Sequence, residues 1–538
     1  MTHTFKTDVL VIGGGAAGVR AAIEAKQRGR RVSVLSESKI GKANNSVISF
    51  GGFAAAVGDD SPEQHFQDTM NGGQWLNQQP LVRLLTEQVP GEVLKLEEMG
   101  VQFQKDENGR YIQVARGGHS VARRLTTATN SGKALIDPLV KTLDQLVDNR
   151  LEGLRAIRLL TIDGTISGVL AIDKQGEWHV VSAKAVVLAT GGGGALYPAN
   201  SNVRFAVGEG YALALEAGLS LRDMEFVQFV AGPRLGPDGP RRGLRLPPLE
   251  FLLIHGAVLR NSEGEDLFEL IGISTFTRDV ITTVVERENQ RSGLGKGGVK
   301  LDISQFSFEG MGDISDYMDL DIQVQTAAHF FMGGIEVNDD LTTAIPGFFA
   351  AGEVMGGVHG ANRLGGNALA ETFVFGAQIG GLAAQFASEN KTGQSIEPGI
   401  AKQVIEEVTE SQGAGTDSKS SNESVLELEK ELKVIMGEFA SPVRTLDLLN
   451  EGLNRIVELK NTLQSFAPPA PEQLWARTSF RNQLIIAEAV LHSARIREES
   501  RGAHVRDDFP ETDEKGWRGN IILQKDQNEG LKHVFRPV

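Results

Sequence analysis

The first feature that could do chemistry is a glycine turn near the amino terminus. Residues 13–18 read Gly-Gly-Gly-Ala-Ala-Gly, so Gly13, Gly15 and Gly18 have the GxGxxG spacing. In this pattern the first glycine makes the turn, the second lets a pyrophosphate approach the backbone, and the third lets a helix pack against a strand. Glu37 follows Gly18 by 19 residues, where a carboxylate can accept from a ribose hydroxyl. The spacing predicts a dinucleotide site.

Two arginines and one histidine stand in segments that could do chemistry. Arg363 lies among glycines, and His329 comes shortly before Met-Gly-Gly. A guanidinium has a planar fork of donors that matches a carboxylate. Arg278 stands in the sequence Thr-Arg-Asp-Val, where an ion pair with Asp279 is the structural alternative. Taken singly, such arginine and histidine residues more often have structural roles.

The elements that must position these residues predict an α/β fold. The apolar run 8–12, the alanine-rich segment 16–28 and the apolar run 31–35 form a βαβ unit around the glycine turn. Two further strand patterns, at 185–192 and 345–353, run into glycine. Their wide separation predicts one nucleotide-binding domain that is interrupted by an insertion.

Composition excludes several classes of function. The 538 residues include 54 Lys+Arg and 69 Asp+Glu, and the net charge of −15 argues against non-specific binding to nucleic acid or anionic membranes. Cysteine is absent, which excludes disulfides, thiolate nucleophiles and cysteine-bound zinc or iron–sulfur clusters on this chain. Electrons must therefore be handled by a bound cofactor. Without a secretory signal or an apolar run of roughly 18 residues, we expect a cytoplasmic protein with no direct membrane insertion.

The chemical motifs occur in an order that is typical of one family. The chain resembles the flavoprotein subunits of succinate dehydrogenase and fumarate reductase, a family that includes L-aspartate oxidase, over nearly its whole length. The residues that carry the resemblance are the glycine turn, Ala189-Thr190-Gly191-Gly192, the His329 segment, Ala351-Gly352-Glu353, His359–Asn367, Glu499–His504 and Asp507–Pro510.

The resemblance implies an FAD-dependent oxidoreductase that transfers hydride between flavin N5 and a carbon–carbon bond beside a carboxylate. Arg363 and His329 are implied to bind that carboxylate, Arg278 to exchange the proton, and Glu250 to contribute to the substrate site. A helix predicted to begin near Asn367 would direct its N-terminus at the flavin, where reduction places negative charge. The implied FAD contacts are Gly13, Gly15, Ala16, Ala17, Gly18, Glu37, Ser38, Asn45, Ser46, Gly51, Gly52, Ala189, Thr190, Gly191, Glu353, Arg363, Asn367, Ala368 and Leu369.

The implied fold is a Rossmann-like FAD-binding domain interrupted by an α+β capping domain and followed by a C-terminal helical domain. We place the FAD-binding domain at 1–225 and 326–400, and the capping domain at 226–325. A Ser- and Gly-rich stretch suggests a flexible linker at 401–424. The remaining segments are a helical domain at 425–505 and an irregular tail at 506–538.

Two departures from the family pattern bear on function. Asn45 stands where the membrane-complex members of the family have a histidine that is bonded to the flavin, so we expect FAD to be bound non-covalently, as in the soluble members. Val230 and Leu249 stand where the resemblance places a histidine and a threonine of the dicarboxylate enzymes. A second carboxylate without those donors would cost several kcal/mol to bury. Succinate and fumarate are therefore predicted to be poor substrates. Val230 and Leu249 are predicted to pack against an apolar substrate tail.

Several alternatives stay open at this point. Gly117–Ser120 resembles the aspartate-oxidase version of the family, which suggests an amino-acid oxidase. A flavin-binding electron-transfer subunit without substrate chemistry is a third possibility, and an adenylylsulfate reductase is a fourth. We expect a small carboxylate substrate and a separate iron–sulfur or other electron-carrier protein as partners. The arginines at 234, 241, 242 and 245 could bind an anionic group or form a solvated loop.

Overall fold

The computed structural model describes residues 2–115, 117–234, 249–274, 276–292, 298–307, 321–390, 396–413, 415, 421–526 and 530–538. Strands and helices are numbered in chain order. The strands are β1 Thr2–Ile12, β2 Val32–Ser36, β3 Phe53–Ala54, β4 Gln113–Val114, β5 Arg124–Leu125, β6 Asn149–Glu152, β7 Arg155–Ile162, β8 Thr165–Ile172, β9 Trp178–Leu188, β10 Leu221–Arg222, β11 Val227–Pro233, β12 Val258–Arg260, β13 Val299–Asp302, β14 Ile322–Phe331, β15 Gly334–Ile335, β16 Phe348–Ala350, β17 Val443–Arg444, β18 Val505–Arg506, β19 Gly519–Lys525 and β20 Leu531–Pro537. The helices are α1 Ala16–Gln27, α2 Asn45–Ile48, α3 Pro62–Gly72, α4 Gln79–Glu98, α5 Gly132–Leu146, α6 Glu209–Glu216, α7 Leu249–Ile254, α8 Leu267–Ile271, α9 Arg278–Ser292, α10 Asn367–Glu389, α11 Pro398–Glu410, α12 Asn422–Phe439, α13 Leu446–Ser465 and α14 Pro471–Ile496.

A mixed sheet forms the centre of the first domain. Strands β6, β2, β1 and β9 run parallel, and β8 and β7 continue antiparallel beyond β9. Strand β16 pairs in parallel with the carboxyl end of β9. Val9, Leu10 and Val11 are fully buried, as expected for a parallel strand that is covered on both faces. The carboxyl ends of β1, β2, β9 and β16 therefore meet at one edge, which is the predicted cofactor edge.

Helix α10 packs closely on α1, against the central sheet. A Cβ on Gly376 or Gly380 would collide with the α1 carbonyl of Ala17 or Ala21, so glycine is what permits this approach. Helix α10 begins at Asn367, as the sequence predicts. Its close packing fixes where its N-terminus points.

The capping domain is an antiparallel sheet with helices. Its strand order is β11-β14-β13-β12, and helices α7, α8 and α9 accompany it. The cap has its own apolar core, which includes Leu249, Leu259, Val285 and Val299. Strands β11 and β14 enter and leave the cap, and both reach back to the first domain.

The C-terminal region differs from the sequence prediction in two places. Residues 401–410, which we assigned to the linker, belong to helix α11, because Ala401 and Val408 are buried against apolar side chains of the sheet. The tail at 506–538 is not irregular, because β19 and β20 form a hairpin. Strand β19 also pairs with β10 of the first domain. Its residues 521–523 are almost completely buried, which explains why this segment is ordered.

The predicted helical domain consists of α12, α13 and α14, which pack on one another. Part of the Ser- and Gly-rich stretch lies outside the described residues. Within the described residues, none of the helices is long and apolar enough to cross a membrane.

Candidate active site

The glycine turn connects β1 to α1. Gly13 has a φ of +122°, and its amide donates to the Leu35 carbonyl at 2.8 Å. A Cβ at this position would collide with the carbonyl of Ala189, so only glycine lets the ends of β1 and β9 meet. Gly15 caps α1 without a side-chain hydrogen bond. The N-terminus of α1 thus offers backbone N–H groups to an anion, as a pyrophosphate requires.

Glu37 follows the last residue of β2, beside this turn. Its two carboxylate oxygens accept from Arg155 Nε at 2.8 Å and Nη2 at 3.0 Å. Ser38 lies next to it, with its hydroxyl 3.5 Å from the carbonyl of Ala43. The sequence did not reveal the arginine partner of Glu37, because strand β7 reaches this edge only through tertiary packing.

The ends of β9 and β16 add polar groups to the same edge. Thr190 Oγ1 is buried without a hydrogen-bond partner among the described residues. Gly191 has a φ of +78° and open space where a side chain would lie. Glu353 accepts from the Phe331 amide at 3.0 Å, and burial raises the pKa of Glu353 to about 7. The unpaired hydroxyl and the open glycine fit a bound cofactor.

Asn45 is fixed by a loop that follows β9. Its side-chain NH₂ donates to the Asn202 side-chain oxygen, and its own oxygen accepts from the Val203 amide at 2.9 Å. Asn202 in turn donates to the carbonyl of His329 at 3.2 Å. The predicted Ser46 is next to Asn45, and its hydroxyl accepts from the Ala16 amide at 3.3 Å. Asn45 therefore lies between the α1 N-terminus and the strand that carries His329.

The remaining predicted cofactor residues surround the start of α10. Gly51 and Gly52 precede β3, and the amide of Ala54 in β3 donates to the Gly366 carbonyl at 3.2 Å. The Asn367 side chain is buried. Its Oδ1 lies 2.9 Å from His65 Nε2, and its Nδ2 donates to Thr69 Oγ1 at 3.0 Å. Ala368 and Leu369 form the first turn of α10 with it.

Arg363 and Arg278 meet at Gln228. Arg363 donates to Gln228 Oε1 from Nη2 at 2.7 Å and from Nε at 3.1 Å. Arg278 donates to the same oxygen from Nη1 at 3.3 Å. Gln228 lies on β11 of the cap, whereas Arg363 belongs to the first domain. The structure thus brings together both predicted arginines across the domain boundary.

The two arginines differ in their charge partners. Arg278 Nε donates to Glu250 Oε1 at 2.8 Å, so its ion-pair partner is Glu250 and not Asp279. Among the described residues, none of the carboxylates forms an ion pair with Arg363. Its guanidinium carbon instead lies 4.8 Å from the centre of the Phe330 ring. Burial, with Arg278 nearby, lowers the pKa of Arg363 to about 9. A buried guanidinium without a carboxylate partner has the chemistry to bind an anion.

His329 completes this group. Its Nδ1 lies 2.7 Å from the Ser201 hydroxyl. Burial and the positive charges of Arg363 and Arg278 hold the pKa of His329 well below its ordinary value. The imidazole is therefore neutral at pH 7 and can offer one N–H to a ligand.

The structure revises the predicted apolar end of the substrate site. Leu249 is only 3% exposed and packs in the cap core, so it is not available to a substrate tail. Val230 is half-buried on β11, two residues beyond Gln228. The ring of His255 packs on Phe251 in the cap, with 4.2 Å between the ring centres and an angle of 36° between the ring planes.

The arginine-rich segment is described only at its start. Arg234 donates to the Gln323 side chain at 3.3 Å, and Arg241, Arg242 and Arg245 lie outside the described residues. Gln228 and Ser201 carry no motif of their own, so neither of them was identified from the sequence.

Comparison with known proteins places this geometry in a family. The FAD binding domain family matches residues 8–369, and the C-terminal domain family of the fumarate reductase flavoprotein matches residues 429–538. This chain belongs to the FAD-dependent flavoprotein family of fumarate reductase and succinate dehydrogenase. FAD is its cofactor, and its class is oxidoreductase. The predicted family, fold and cofactor are thus confirmed.

Two similar proteins come from methanogenic archaea. An uncharacterised FAD-dependent oxidoreductase of Methanocaldococcus jannaschii is 36% identical, with 96% of each chain covered. The matching chain of the fumarate reductase (CoM/CoB) of Methanothermobacter marburgensis is 34% identical, with 97% of this chain and 98% of the relative covered.

Solved structures agree with the fold over the whole chain. The flavoprotein of Escherichia coli quinol fumarate reductase has a TM-score of 0.86 at 28% identity, over 100% of this chain and 97% of that one. Mycobacterium smegmatis Sdh1 has a TM-score of 0.86 at 31% identity, over 99% of this chain and 94% of that one. Adenylylsulfate reductase of Archaeoglobus fulgidus, at 18% identity and a TM-score of 0.77, shares the fold alone.

Proposed function

We propose that this flavoprotein oxidises or reduces a carbon–carbon bond beside a carboxylate, in a substrate other than succinate or fumarate. The observation that carries the proposal is the buried Arg363 guanidinium, whose donors meet the neutral oxygen of Gln228. A neutral acceptor leaves the positive charge of Arg363 for a substrate carboxylate. Bound FAD supplies the two-electron exchange as hydride. The residues of this chain supply binding, orientation and the proton.

His329 and Arg363 would hold one carboxylate together. The neutral imidazole donates one hydrogen bond, and the guanidinium supplies the charge. Such contacts place the neighbouring carbon atoms at a fixed position relative to the cofactor, which is worth several orders of magnitude in rate.

Arg278 is proposed to exchange the proton on the carbon that does not exchange hydride. Arginine is a very weak acid in water, so this role requires a partner that takes up or returns the proton. Glu250 is such a partner, because it contacts Arg278 Nε at 2.8 Å and both side chains are half-buried. Exchange along this pair would move the proton between the substrate and the cap surface.

The chemistry of the second end of the substrate follows from Val230. An isopropyl group offers no hydrogen bond to a second carboxylate, whereas it can pack on a hydrocarbon or aromatic tail at about 25 cal/mol per Å² buried. We therefore propose a monocarboxylate or a bulkier acid as substrate. The proposed FAD contacts include non-covalent binding at Asn45 and a ribose contact at Glu37.

The electron partner is proposed to be a separate protein. The chain has no cysteine to bind an iron–sulfur cluster. Several similar proteins are named as subunits, which supports a partner that carries electrons to or from FAD. Purification of the tagged chain from its native cells, followed by iron analysis of co-eluting proteins, tests this.

The substrate class is tested with the FAD-loaded enzyme and an artificial dye. A panel would compare succinate and fumarate with monocarboxylates, amino acids and aryl-substituted acids. A specificity constant that is highest for a non-amino monocarboxylate supports the proposal. Hydrogen peroxide formed from an amino acid supports an amino-acid oxidase instead, and no turnover with any acid supports an electron-transfer subunit.

A further inference from the structure

Arg155 connects Glu37, the residue proposed to bind the ribose, to the C-terminal helical domain. It lies on β7, and Nε and Nη2 form the two-pronged pair with Glu37. The other terminal nitrogen, Nη1, donates to the Trp475 carbonyl at 2.8 Å. The guanidinium carbon also lies 4.2 Å from the centre of the Trp475 ring. Arg155 is therefore fixed by a carboxylate on one side and by helix α14 on the other.

Helix α14 also holds a second carboxylate against Arg155. Glu209 is buried, and it accepts from Ser479 Oγ at 2.7 Å and from Asn482 Nδ2 at 2.6 Å. Its Oε1 lies 3.5 Å from Arg155 Nη1. Trp475, Ser479 and Asn482 are spaced so that they share one face of α14. This face thus fixes both the position and the charge environment of Arg155.

The electrostatics keep this arginine charged. Burial alone would lower the pKa of Arg155, but Glu209 and Glu37 raise it. The Arg155 guanidinium donates one hydrogen bond to each oxygen of Glu37. Because a carboxylate accepts about four hydrogen bonds, each oxygen keeps one lone-pair direction free. These free directions are what ribose hydroxyls would use.

We infer that Arg155 is a positioning residue for FAD, which orients Glu37 toward the adenosine ribose and is itself held by α14. The inference rests on the proposed ribose contact of Glu37. It adds that cofactor affinity depends on residues outside 8–369, the segment that matches the FAD binding domain family. The C-terminal domain then contributes to the adenosine end of the FAD site.

The test compares FAD with its analogue that lacks the adenosine 2′-hydroxyl. Both are titrated into the full chain freed of flavin, and the two Kd values are measured by flavin fluorescence. We expect wild type to prefer FAD by about tenfold, as one charge-assisted hydrogen bond allows. Arg155→Met should weaken FAD binding and remove most of the preference. Arg155→Lys, which keeps the charge but lacks the fork, should fold and still lose most of the preference.

The matched control is Arg158→Met. Arg158 lies on the same strand and forms an ion pair with Glu216 at 3.0 Å, away from Glu37. It should lower thermal stability without changing the preference. A Glu37→Gln variant separates the proposed ribose contact of Glu37 from the positioning role of Arg155. If it loses the preference while Arg155→Lys keeps it, the inference is wrong and the ribose contact stands. If Glu37→Gln keeps the preference, the ribose contact fails, and the inference fails with it.

Discussion

The side-chain oxygen of Gln228 receives two N–H groups of Arg363, one at 2.7 Å and one at 3.1 Å. The pair joins the cap to the first domain, because Gln228 is on β11 and Arg363 precedes α10. An amide oxygen satisfies the buried donors without cancelling their charge. A carboxylate in the same place would neutralise Arg363 and compete with the carboxylate that we propose as its ligand. The choice of glutamine therefore bears directly on anion binding.

The first prediction concerns Gln228→Glu, which has nearly the same shape. The new carboxylate should form an ion pair with Arg363, and we expect KM for carboxylate substrates to rise by about 100-fold while FAD remains bound. Steady-state kinetics and the flavin spectrum measure the two effects. Gln323→Glu is the control, because Gln323 contacts Arg234 elsewhere in the cap sheet. An unchanged KM in Gln228→Glu would show that substrate binds away from Arg363.

The second prediction concerns Arg363→Ala. This variant should retain FAD and lose turnover by several orders of magnitude, because one charged hydrogen bond is worth about 1.5–3 kcal/mol and positioning is lost as well. Arg287→Ala, at an exposed ion pair of the same cap helix as Arg278, should leave turnover unchanged. The measurement is kcat/KM with the best acid of the panel. Wild-type activity in Arg363→Ala would refute the anchoring role.

The candidate site residues that the sequence indicated lie within motifs. Gly13, Arg363 and Asn367 were identified because glycine turns and helix starts leave a local pattern. Gln228 and Arg155 were not, because each acts through a partner more than 100 residues away. Likewise Leu249 looked like a substrate contact, whereas its burial in the cap core is set by tertiary packing. Local chemistry is readable from the chain, but pairing across domains is not.

The third prediction follows from the raised pKa of Glu353. The value rises from 4.5 in the ordinary case to about 7 in the fold. Protonation of Glu353 therefore contributes about 3 kcal/mol to the free energy of unfolding. The contribution is fully present below pH 4.5, the pKa in the unfolded chain, and is lost as the pH rises through about 7, the pKa in the fold. Between pH 5 and pH 8, the Tm of wild type should fall more than the Tm of Glu353→Gln. The exposed Glu107→Gln serves as control, and a parallel pH profile of wild type and Glu353→Gln would contradict the assignment.

The fourth prediction concerns cofactor attachment at Asn45. An amide nitrogen cannot replace an imidazole in a bond to the flavin, and both ends of this amide already contact Asn202 and Val203. The purified protein should be yellow and should release its FAD into the supernatant on acid or heat precipitation. Absorbance of the two fractions measures this. Flavin that stays with the pellet would disprove non-covalent binding.

The last prediction concerns Val230 and the choice between mono- and dicarboxylates. In wild type, the half-buried Val230 gives a second carboxylate no donor, so succinate and fumarate should have low specificity constants. Val230→His places an imidazole two residues from Gln228 on the same strand, where it can donate to that carboxylate. We expect the specificity constant for fumarate to rise by about tenfold or more, as one good hydrogen bond allows.

Val230→Leu provides the control, because it changes the same position without adding a donor and should leave fumarate a poor substrate. Activity with the preferred monocarboxylate should fall in Val230→His, since the polar ring displaces its apolar tail. If wild type already uses fumarate better than every monocarboxylate in the panel, another donor serves the second carboxylate. The apolar interpretation of this end of the site would then be wrong. Arg234 would be the next residue to substitute, because it directly follows the same strand.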